Sequence, residues 1–248
     1  MLDTEAPGRL LDRVRKLLAK AEADGVTPQE AQALTAKAAE LMARYGIDRA
    51  LLAADRPETD RPANRIVDID NPWGREKAHL LCGLAGALRC QCVLLTGRRP
   101  GSRVHVFGFA SDIERTDLLY TSLLVQMWHG LAAARVPGHS RNPRAWRRSW
   151  LLGFATAVIA RVRDAELRAA RGAGAGRPGS SERAALVLAD RSAIVRRQVA
   201  LAYPVTRMSK VTYTGSGYGD GYAEGQRADI GSGRLRPGHA RALAGPPG

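Results

Sequence analysis

Between residues 9 and 46 the apolar side chains fall every three or four positions, and that spacing admits one local structure. Leu10, Val14, Leu17, Leu18 and Ala21 form one stripe, and Ala31, Leu34, Ala38, Leu41, Met42 and Tyr45 form another. The pattern predicts two helices folded into a self-contained hairpin. Thr27, Pro28 and Glu30 read as a capping box with a first-turn proline opening the second helix. Gly46 reads as the left-handed residue that stops it, with Ile47 packing back on the last turn. The stretch holds no nucleophile, no metal-ligand set and no phosphate loop.

Two runs carry a likeness to a known module. One extends from Leu10 to Ala21 (LLDRVRKLLAKA), the other from Glu30 to Ile47 (EAQALTAKAAELMARYGI). Together they resemble the domain of unknown function 2786 (DUF2786), a short helical module of bacteria and their phages. The segments Val104–Leu123 and Trp146–Val158 resemble the longer C-terminal region that accompanies that module. The resemblance implies an architecture and carries no catalytic or binding residue.

The chain has 248 residues, 45% of them hydrophobic, enough for a core. Its apolar runs, Leu80–Leu88 and Leu151–Ala160, fall short of the ~20 residues that span a bilayer. No membrane partner is therefore expected, and the N-terminus, which carries Asp3 and Glu5 and lacks an apolar signal core, gives no sign of secretion. Three cysteines make no disulfide framework, and a cytoplasmic location fits.

The net charge of +14 is unevenly placed. Residues 1–60 net −2, residues 61–133 net +3, and residues 134–248 net +13. A GC-rich codon bias explains why arginine replaces lysine, but not why acidic residues are scarce. The basic C-terminal half therefore favours a polyanion such as nucleic acid.

Punctuation divides the chain into a hairpin module over 1–52, a polar linker over 53–65, an α+β domain over 66–231 and a disordered tail over 232–248. Asn71-Pro72 predicts the start of a helix to about Arg89. Cys90–Thr96 and Arg103–Phe109 predict an antiparallel β-hairpin around Gly97–Gly101. Ser111 and Glu114 read as a second capping box, opening a helix to about Arg135. Asn142-Pro143 opens another to about Arg171, with a stripe of Trp146, Trp150, Phe154, Val158 and Val162. Ala184–Ala189 is a candidate buried third strand, although a short apolar run fits a helix equally. Asp190–Leu201 reads as helix. The fold class is α+β: a helical hairpin, then a small few-stranded sheet with a β-hairpin packed by several helices.

His79, Cys82, Cys90 and Cys92 form a His-x2-Cys…Cys-x-Cys set of non-standard spacing. Zinc can be imagined there, but inert packing is the better reading of buried cysteines, so no metal or cofactor is expected. The Gly-rich segment Thr214–Gly225 lacks both Gly-x-Gly-x-x-Gly and Gly-Lys-Ser/Thr, so it is no nucleotide loop. It reads as a turn into a last short helix. Its alternative is a strip in which Tyr213, Tyr218 and Tyr222 stack on bases beside Arg207 and Lys210. The cluster Arg141, Arg144, Arg147 and Arg148 stands at a helix start, where cations oppose the helix dipole. Placing like charges there disfavours folding and points to an anionic ligand.

Three function classes follow. The first is a non-catalytic nucleic-acid or polyanion binder, working through the basic half. The second is a protein interaction module, working through the hairpin. The third is an enzyme whose site assembles from dispersed residues, with no catalytic residue singled out in the sequence.

Overall fold

The computed structural model describes residues 28–95, 101–138, 142–172, 180–207 and 214–228, with the side chains of the first helix described from residue 40 onward. The first helix of the expected hairpin, the loop Gly97–Pro100 and the expected tail lie outside the described residues.

Helix α1 (Pro28–Asp55) leads through a 3-10 turn (Pro57–Thr59) into strand β1 (Pro62–Ile69). Helix α2 (Gly74–Ala87), strands β2 (Gln91–Leu95) and β3 (Ser102–Phe109), and helix α3 (Ala110–Ala133) follow. Helices α4 (Pro143–Gly172), α5 (Ser180–Ala202) and α6 (Tyr218–Arg227) complete the described chain. The sheet is antiparallel throughout, in the order β1-β3-β2. The fold class is α+β, as the alternating patterns predict.

Alternation along β3 gives the sheet two apolar faces. Val104 and Val106 meet Leu81 and Ala85 of α2 and Ile113 of α3. Phe107 and Phe109 meet Val195 of α5, with Val93, Val199 and Tyr203 beside them. Beyond the sheet lies a helical core. The α4 stripe of Trp146, Trp150, Phe154, Val158 and Val162 packs with Leu80, Leu84 and Leu88, with Leu119, Leu123 and Met127, and with Leu41 and Met42 of α1.

Several expectations change. Gly46 does not stop α1, which runs nine residues further to Asp55. Its missing side chain serves tertiary packing instead, as described below. The region expected as a linker, 53–65, contains the end of α1, the 3-10 turn and the first residues of β1. This strand lacks a strong hydrophobic signal because it is an edge with mostly exposed side chains, and Pro62 at its first residue suits an edge. The third strand is thus β1 and not Ala184–Ala189, which lies inside α5. Burial there falls on Ala184, Arg191 and Val195, at helical spacing, while Leu186 stays exposed. Asn71-Pro72 is a cis peptide and does not cap α2. Trp73 holds the N-cap position in the left-handed region, at φ 66° and ψ 31°. Ser111 is not a cap either. Helix α3 starts at Ala110, and Ser111 donates through its backbone N–H (3.1 Å) and its Oγ (2.7 Å) to the carboxylate of Asp60. A carboxylate at a helix N-terminus meets both its unpaired N–H groups and its dipole, so Asp60 takes over the capping role. Asn142 does cap α4, accepting from the Ala145 N–H at 2.9 Å.

Candidate functional site

Two regions hold the polar chemistry: a basic corner and a buried ionic network.

The basic corner forms where the first turns of α2 and α4 meet. Arg144 places its guanidinium over the Trp73 ring, 5.8 Å from the centroid. Arg148 donates from Nε to Glu76 Oε1 at 2.8 Å, and Glu76 is 4% exposed. That pair ties the two helices together. Arg147 and Arg75 are exposed. One turn along α2 from Trp73, Lys77 donates to the Asp70 carbonyl at 2.7 Å and lies 5.5 Å from the centroid of the half-buried Trp128. The corner thus interleaves cations with two indole rings. Trp146 and Trp150 are buried core, as their spacing predicts. Trp73 is a bulky residue at positive φ, a conformation that costs on the order of 1–3 kcal/mol and concentrates at binding sites.

Of the other residues singled out, Arg141, Lys210 and Tyr213 lie outside the described residues. Arg207 is exposed on the segment after α5. Tyr218 stacks on Tyr222 with ring centroids 6.1 Å apart on α6. Beside the corner, a cleft of about 300 Å³ is lined by Arg135, Trp146, Trp150, Asp220, Glu224 and Arg227. Its two carboxylates offset its guanidiniums, so it suits a polyanion poorly.

The cysteine set does not assemble as a metal centre. Among the described residues no three His, Cys, Asp or Glu side chains are grouped to hold an ion. Cys82 and Cys92 hydrogen-bond each other, which pulls the Cys82 thiol down and pushes the Cys92 thiol up. Cys90 contacts Thr116, and burial pushes its pKa up to about 12. His79 is exposed.

The ionic network was invisible to motif reading. Asp60, Asp112 and Glu166 supply three carboxylates, and Arg89, Arg115 and Arg191 supply three guanidiniums. Arg115 donates to Asp112 Oδ1 at 3.1 Å and to Glu166. Arg191 donates to Asp60 (2.7 Å) and Asp112 (3.1 Å) and stacks 3.6 Å from the Phe109 centroid. Arg89, at φ 65°, reaches Glu166 at 2.8 Å. Burial works against the Arg115 charge, but Glu166 and Asp112 outweigh it and hold its pKa above the usual guanidinium range. One signal could have revealed the network. Glu166 occupies the next position of the 146-150-154-158-162 stripe, and Arg115 lies four residues before Leu119 on the stripe of α3. Charges on inward-facing positions require buried partners.

Helix α1 docks directly on this network. A Cβ at Gly46 would stand 1.9 Å from Arg115 Nη1 and 3.0 Å from Arg89 Nη2. Tyr45 and Ile47 flank it, 6% and 0% exposed. Residues 9–49 match the family model described as a protein of unknown function, DUF2786. The resemblance of the N-terminal module is therefore real. No curated protein and no solved structure matches the chain. The DUF2786 segment ends, in space, with its Tyr45-Gly46-Ile47 turn seated on the core of the following domain. No helix among the described residues is long and apolar enough to cross a membrane.

Proposed function

We propose that the protein binds nucleic acid through the basic corner of α2 and α4. The observation that supports this most directly is the Arg144 guanidinium stacked over Trp73, with Arg75, Arg147 and Lys77 around it. Two helix N-termini open at the same place, and their dipoles add to the cations. Folding accounts for Arg148, which pairs with Glu76, but Arg75 and Arg147 stay exposed beside it. An indole face beside phosphate-binding cations suits a single strand, whose bases stack while its backbone is neutralised. Residues 134–248, with a net charge of +13, supply the longer-range field.

The interaction-module reading draws less support. The described part of the DUF2786 segment spends Leu41, Met42, Tyr45 and Ile47 on its own core.

The test is fluorescence anisotropy with a labelled oligonucleotide, single-stranded and duplex, from 50 to 200 mM salt. Affinity is expected to fall with salt, and the double variant Arg144→Ala/Arg147→Ala to lower the log–log slope by about 1–2. Absence of binding to either form at low salt would sink the reading.

A further inference from the structure

Among the described residues, the face of the sheet opposite α2 and α3 is only partly covered. Residues 103, 105, 107 and 109 of β3 point to it, and α5 closes over Phe107 and Phe109 through Val195 and Val199. Helix α5 ends at Ala202, leaving His105 at the margin of the covered part. Tyr203 follows at once and turns its ring edge-on to both His105 and Phe107, with centroids 5.7 and 6.0 Å away. Its Oη lies 2.8 Å from His105 Nδ1. On the other side of the imidazole, Nε2 lies 3.0 Å from the Asn64 Oδ1 of β1. An amide oxygen only accepts, so Nε2 carries the ring proton. Nδ1 is then the lone pair that receives the Tyr203 hydroxyl. Desolvation favours this neutral form and holds His105 below the usual imidazole range.

A phenol bonded to an imidazole that a third side chain orients is the geometry of an activated nucleophile. Packing alone does not require it, because a phenylalanine at position 203 would keep the contact with Phe107. The three residues come from separate elements, 41 and 98 positions apart around His105. On the same face, Arg103 is partly exposed and steadied by Asp68 at 2.8 Å. Ile66, 44% exposed, pairs with His105 across β1, and Val93 pairs with it across β2. An arginine two residues along β3 from His105, whose guanidinium a phosphate would share with Asp68, on an apolar floor left partly exposed among the described residues, suits an extended phosphodiester.

We propose that Tyr203 is a nucleophile toward phosphodiesters, with His105 as its general base and Asn64 as the positioning residue. As Tyr203 Oη bonds to phosphorus, its proton passes to His105 Nδ1. The bond from phosphorus to the leaving oxygen breaks with its electron pair, and that oxygen takes the proton from the imidazolium. The products are a phosphotyrosine diester and an alcohol, and no further reactant is consumed. The natural substrate class rests on the nucleic-acid reading above, but the chemistry does not.

The probe is bis(4-nitrophenyl) phosphate with the full chain. The expected result is a burst of nitrophenolate close to one equivalent per chain, and a 4-nitrophenyl phosphoryl adduct on Tyr203 by mass spectrometry. Tyr203→Phe should abolish the adduct while leaving the circular dichroism melt unchanged. His105→Gln should slow the burst by about a hundredfold. Asn64→Ala should slow it and Asn64→Asp restore it, a rescue that a purely structural role would not give. An unlabelled Tyr203, or labelling that His105→Gln leaves unchanged, overturns the proposal. Failure of oligonucleotide binding with the adduct intact would overturn only the corner, and loss of the adduct with binding intact only this site.

Discussion

Gly46 carries the module's docking. Alanine is the better helix former by about 1 kcal/mol in a helix interior, so propensity alone predicts that Gly46→Ala stabilises the protein. The tertiary contact reverses the sign. The added methyl would strike the Arg115 guanidinium, which is 1% exposed and held by Asp112 and Glu166, so it has nowhere to move. A net loss of about 1–3 kcal/mol is expected in urea denaturation. An unchanged or raised midpoint would show that α1 does not seat there. Cys90 makes a second case. Its thiol is neutral in the fold because burial disfavours the thiolate. In native protein at pH 8, Cys90 is expected to resist a thiol-specific disulfide reagent until urea unfolds the chain. The raised pKa also has a sign for stability. Its contribution is complete below the unfolded value of 9.0 and is lost as pH rises toward about 12.

At the scale of elements, α6 and α4 show what small residues do. Gly217, Gly221 and Gly225 recur every four positions and bring one face of α6 against α4. At Gly221 an added Cβ would meet the Trp150 carbonyl oxygen at 1.9 Å, and backbone cannot turn aside. Gly221→Ala should therefore release α6, expose Trp150 and lower the melting temperature, with tryptophan fluorescence shifting to the red. A native emission spectrum would count against the close approach. The Gly-rich stretch read as a turn into a short helix, and that much was legible. Its spacing of four was the unread sign of helix contact. The long helices α3 and α4, the β2–β3 hairpin and the Asn142 cap were legible because local patterning specifies them. Strand β1 was not, because an exposed edge need not alternate strongly. Helix α5 hid behind a short apolar run that fits either structure until its partners are known.

Across the whole molecule, five buried charges and the largely buried Arg89 link the segment before β1, the end of α2, α3, α4 and α5. Removing one member of such a network leaves its partner charged and unpaired, so Glu166→Ala is expected to cost about 3–5 kcal/mol. A smaller loss is expected for Glu166→Ala with Arg115→Met, which removes both charges. If the single and double variants melt together, the network does not act as one unit. Sequence by itself determined the long helices α3 and α4, the β2–β3 hairpin, the α+β class, the charge asymmetry and the Arg cluster. Each of these depends on periodicity, turn chemistry or a simple count of charge along the chain. Only the tertiary structure decided that Gly46 faces a guanidinium, that Asp60 caps α3, and that Trp73 lies under Arg144. It alone brought His105 between Asn64 and Tyr203. Those pairings join residues tens of positions apart, and no local pattern encodes which distant partner a side chain will meet.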